Sequence, residues 1–82
     1  MADDSVVEAA ARRLAPYATP FMDEKDVEAV ASAFLAGEPY EALTWFLSVI
    51  ASEKTSVPND AIVSAFNLLD DEDKEEYVGL LA

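Results

Sequence analysis

Apolar residues recur at spacings of three and four along most of the chain, and no stretch alternates with a period of two. That is the pattern of amphipathic helices. Val7, Ala10, Ala11 and Leu14 form the first apolar stripe, on a helix predicted from about Ser5 to Ala15 and stopped by Pro16. Tyr17 to Met22, with Pro20, reads as a connector that tucks Phe21 inward. Asp23, with Asp26 three residues on, supplies an N-cap and a first-turn acid. The second helix carries Val27, Val30, Ala31, Phe34 and Leu35 on one face. Gly37 suits the left-handed position just past its end, and Pro39 suits the first turn of the helix that follows.

The third helix, about Pro39 to Lys54, is apolar around most of its circumference. Leu43, Phe46, Leu47, Ile50 and Ala51 make one wide face, and Tyr40, Trp45 and Val49 add to it. Glu41, Thr44, Ser48 and Ser52 form a polar stripe. Such a helix belongs at the centre of a bundle. Trp45 lies at the edge of the apolar face, where core packing is expected and an exposed interface anchor is the other reading. Thr55 to Val57 reads as a loop. Pro58, Asn59 and Asp60 open a fourth helix, with Ile62, Ala65, Phe66 and Leu69 inward. Asp70 and Asp73 repeat the capping arrangement before a short fifth helix whose inner face is Tyr77, Val78 and Leu81. The expected fold is all-α, a compact four- or five-helix bundle forming a single domain over residues 1–82. Its expected core is Phe34, Leu43, Phe46, Leu47, Ile50, Ile62, Phe66 and Leu69.

Composition supports a packed core. Of the 82 residues 52% are apolar and eight are aromatic, far more than disordered chains carry. With no cysteine and no histidine, disulfides, thiolate chemistry and imidazole ligands are excluded, and carboxylates remain as the acid–base or metal groups to consider. Seventeen acids face five bases, for a net charge of −12. Nucleic acid and anionic membrane surfaces would repel such a chain, and a basic protein would attract it. The acid is concentrated after residue 37: the first 37 residues are net −4 and the remainder net −8. The start, Met1-Ala2-Asp3-Asp4, lacks the basic-then-apolar profile of a signal peptide. The apolar stretch Ala42 to Ala51 is too short to span a bilayer. A cytoplasmic protein is expected.

Asp70-Asp71-Glu72-Asp73-Lys74-Glu75-Glu76 invites a calcium reading. An EF-hand loop needs glycine at its sixth position and glutamate at its twelfth. Counted from Asp70 those positions hold Glu75 and Leu81, so no calcium loop, and no metal or cofactor, is expected. A helix start whose acids complement the dipole accounts for the run. Paired carboxylates can cleave glycosidic bonds, but that chemistry needs a cleft. No Gly-rich phosphate loop, nucleophile elbow or metal-binding helix motif occurs. A binding role is expected, not an enzyme.

From Phe34 to Leu81 the chain resembles small immunity proteins of bacterial polymorphic toxin systems, of the MafI-like type. The resemblance rests on Leu35-Ala36-Gly37-Glu38-Pro39-Tyr40-Glu41-Ala42-Leu43, continued by Leu47, Glu53, Val57-Pro58, Tyr77 and Leu80. It departs at Thr44, where an acidic residue is common in such proteins, and the N-terminal third has no counterpart. The resemblance implies a protein that binds and blocks a cognate toxin, often a basic nuclease. The acidic run and the start of the third helix then make the expected contact surface: Glu38, Tyr40, Glu41, Asp70, Asp71, Asp73, Glu75 and Tyr77, with the two tyrosines as aromatic anchors. Two other readings stand beside it. One is a nucleic-acid mimic that inhibits a defence nuclease, with carboxylates spaced along a rod-like face. The other is a small homo-oligomeric assembly module. Whether the chain is a monomer or a homodimer is left open by the sequence.

Overall fold

A computed structural model describes residues 3–81. Five α-helices follow one another: α1 (Asp4–Ala18), α2 (Glu24–Leu35), α3 (Pro39–Glu53), α4 (Asn59–Phe66) and α5 (Asp71–Tyr77). Tight 3₁₀ turns at Thr19–Phe21 and Val78–Leu81 complete the chain, and no strand occurs among the described residues. The fold is all-α, as the periodicity predicts.

Local chemistry sets most boundaries. Asp3, Asp23 and Asp70 each sit in extended backbone before a helix, and each side chain accepts a backbone N–H from the first turn. These acids satisfy donors that would otherwise be orphaned, and their charge suits the positive end of the helix. Gly37 takes φ 74°, and the N–H of Glu38 reaches back to the carbonyl of Ala33 at 2.9 Å. This left-handed close reverses the chain at little steric cost, and Pro39 then occupies the first turn of α3. Lys54 closes α3 with φ 52°, a left-handed conformation uncommon for a residue other than glycine.

α3 runs through the middle. Its Ala42, Leu43, Phe46, Leu47 and Ile50 are buried against Val7, Ala10, Ala11, Leu14 and Ala18 of α1. Alanines on both helices let the backbones approach closely, and Phe46 and the leucines fill the remaining space. α4 adds Ala61, Ile62 and Ala65, α2 adds Val30 and Ala33, and α5 adds Tyr77. Arg13 of α1 meets Asp60 of α4 at 2.8 Å and holds its carboxyl below the usual range. Both groups are exposed, so the pair adds little stability.

Several expectations fail, each for a local reason. α1 continues through Pro16 to Ala18. Pro16 is exposed in the last turn, where water can serve the carbonyl it leaves unpaired, and Ala18 beyond it is fully buried. Phe21 is 52% exposed, because the 3₁₀ turn hands the inward place to Met22. α2 rests on α3 along a narrow line through Val30 and Ala33, so Val27, Ala31 and Leu35 face outward, Leu35 at 89%. Phe34 is half-buried: its ring meets Phe46 at 6.3 Å and carries the Arg12 guanidinium 4.2 Å above it. Phe66 is also half-buried, and Leu69 is buried beyond the end of α4 rather than on it. α5 ends at Tyr77, and the tighter winding that follows turns Leu80 inward while Val78 and Leu81 stay exposed.

Candidate partner-binding face

The acidic start of α3 and the acidic start of α5 are neighbours, and Tyr40 joins them. Its position at the beginning of α3 is fixed by the Gly37 turn and Pro39, and its ring packs half-buried against the core. The phenol O–H donates to Asp73 Oδ2 at 2.6 Å, and its oxygen accepts the backbone N–H of Asp70 at 3.0 Å. Asp70 Oδ1 in turn accepts the N–H of Asp73 at 3.0 Å. One hydroxyl thus completes the cap of α5 and pins that helix to α3. Burial, and then the Asp73 carboxylate, push the Tyr40 phenol up to about 12. It therefore stays protonated, and remains a donor, across the physiological range.

Glu38, Glu41, Asp70, Asp71 and Glu75 are exposed. Asp73 is half-buried because its carboxylate faces Tyr40. Of the eight residues singled out in the sequence, hydrogen bonds join Tyr40, Asp70 and Asp73, Glu38 and Glu41 flank Tyr40 in the chain, and Asp71 and Glu75 lie on α5 about 160° around the helix from Asp73. Tyr77 does not join them as an open contact. It is 7% exposed, its hydroxyl reaches the carbonyl of Thr44 at 3.4 Å, and burial followed by the Glu76 carboxylate pushes its phenol up to about 12. Tyr77 is core, and Tyr40 has its hydroxyl committed internally. Neither presents a free aromatic anchor.

Trp45, expected in the core, is 37% exposed. The signal was in the spacing: Glu41, Trp45, Ser48 and Ser52 follow one another at four, three and four residues, and all four are exposed. The tryptophan belongs to the polar stripe of α3, not to its apolar face.

A depression of about 410 Å³ lies between the end of α3 and the last turns, lined in part by Ile50, Lys54, Thr55, Glu76, Tyr77 and Leu80. It holds one carboxylate and one amine, without a second acid to form a catalytic pair. Among the described residues no three acids converge as a metal-ligand set, and no helix is long and apolar enough to cross a membrane. Comparison with protein-family models, with curated proteins and with solved structures gives no match.

Proposed function

We propose that this chain is an acidic protein-binding module that acts on a partner with a basic surface. Within that class we propose an immunity-type protein that neutralises a cognate toxin, in keeping with the resemblance over residues 34–81. The observation that carries the reading is the Tyr40 junction. It holds the start of α3, with Glu38 and Glu41, against Asp70 and Asp73 at the start of α5, and Asp71 and Glu75 add acid along the same short helix. Complementary charge of this kind speeds encounter and selects partners. The chain measures 30 × 29 × 20 Å, a shape that suits a compact acidic patch better than a rod-like string of carboxylates. In this reading the chain binds and does not catalyse, and it works in the cytoplasm.

The test is genetic. The product of the neighbouring reading frame, expressed in a bacterial host, should arrest growth, and co-expression of this chain should restore it. Asp71→Lys with Glu75→Lys should weaken the rescue. A non-toxic neighbour, or toxicity untouched by this chain, contradicts the reading.

A further inference from the structure

Trp45 lies exposed on α3, four residues after the exposed Glu41. At about 100° per residue around α3, Tyr40 and Thr44 mark the side covered by α5, through the bonds to Asp73 and from Tyr77. Phe46, in contact with Phe34, marks the side covered by α2. Glu41, Trp45, Ser48 and Ser52 fall on the arc between them and are exposed. Glu41 and Trp45, four residues apart, are neighbours on that surface, with Cβ atoms about 6 Å apart by helix geometry. The flanking segment Asp70 to Glu76 carries six acids and one base, Lys74.

Resting on the acidic-face reading, we infer that Trp45 and Glu41 form a receptor for an arginine side chain of the basic partner. The indole face attracts a cation, and the neighbouring carboxylate can pair with its guanidinium. Arginine suits the site better than lysine, because a planar guanidinium stacks on the ring while its edge meets the carboxylate. A second copy of this chain is the poorer occupant, since it would bring net −12 against net −12. The indole supplies the apolar contact that the two tyrosines, committed to the fold, leave open.

The sole tryptophan reports its own occupancy. A capped hexa-arginine peptide is titrated into the full chain at low and at physiological salt, with tryptophan emission and calorimetry read together. The inference predicts a saturable emission change, weaker binding of hexa-lysine, and about a tenfold loss of arginine-peptide affinity in Glu41→Gln. Asp71→Lys with Glu75→Lys should weaken both peptides alike. Calorimetric binding without an emission change, equal affinity for the two peptides, or an unaltered Glu41→Gln overturns the arginine receptor while the acidic face stands. No binding of either peptide at low salt overturns the acidic-face reading itself. An emission shift that follows the concentration of the protein alone assigns the Trp45 surface to a second copy and overturns the inference.

Discussion

On the side facing α1, α3 is held by apolar burial. On the side facing α5, it is held by two tyrosines and their hydrogen bonds. The first junction sets Ala42, Leu43, Phe46, Leu47 and Ile50 against five buried residues of α1. The second has Tyr77 as the one buried side chain of α5, with the bonds from Tyr40 to Asp73 and Asp70 beside it. Apolar burial is non-directional and tolerates small shifts, whereas hydrogen bonds fix orientation. The α1 side therefore supplies stability. The α5 side supplies alignment, and it is there that the acidic segments meet.

Substitutions separate the two junctions, and the largest effect belongs to the apolar one. Phe46→Ala should cost about 3–5 kcal/mol. That is comparable to the whole stability of a small domain, about 5 kcal/mol, so the variant should lack a cooperative thermal transition at 37 °C. Phe66→Ala, at a half-buried site, should cost about 1–2 kcal/mol in proportion to its burial, and urea unfolding of the two variants measures the gap. Equal losses would mean that the core is not centred on α3.

Tyr40→Phe keeps the ring and removes the hydroxyl, so it acts on the polar junction alone. Its cost should be about 1–2 kcal/mol, as for a bond to a charged acceptor together with a freed N–H. The same residue gives the junction a pH signature. The Tyr40 and Tyr77 phenols rise from 10.0 to about 12 on folding, so above pH 10 the unfolded chain releases those protons first. The stability they contribute is complete below pH 10 and is lost as pH climbs towards 12. Urea midpoints measured from pH 9 to 12 should fall, and Tyr40→Phe should fall less steeply. The smallest effect on stability is expected for Asp71→Lys and Glu75→Lys, which lie exposed on α5 and should change it by no more than about 0.5 kcal/mol each. Their effect should appear in the partner's association rate and shrink as salt rises.

How far the sequence foretold this division depends on the kind of signal. Helix caps were legible at Asp23, Gly37 and Asp70, because capping is local chemistry. The inner face of α1 was legible because Val7, Ala10, Ala11 and Leu14 repeat without ambiguity. The face of α2 was not. Its apolar positions span more than one neighbour can cover, and only packing decides that Val30 and Ala33 go in while Val27 and Leu35 stay out. The acidic residues of the candidate face were legible as a composition, but their assembly was not. A bond between residues 40 and 73 leaves no trace in local pattern. Trp45 differs for another reason: its four-residue spacing from Glu41 puts it on the polar stripe, a signal that its hydrophobicity masks.

Native-state hydrogen exchange on Tyr40→Phe shows whether the Tyr40 hydroxyl holds the acidic start of α5 against α3. Amides from Asp70 to Tyr77 should lose about tenfold protection beyond any loss in α1 and α3, because opening of α5 becomes a local event. Uniform loss across all helices, or unchanged protection in α5, would show that α5 is held by the apolar core and that the hydroxyl does not assemble the acidic face.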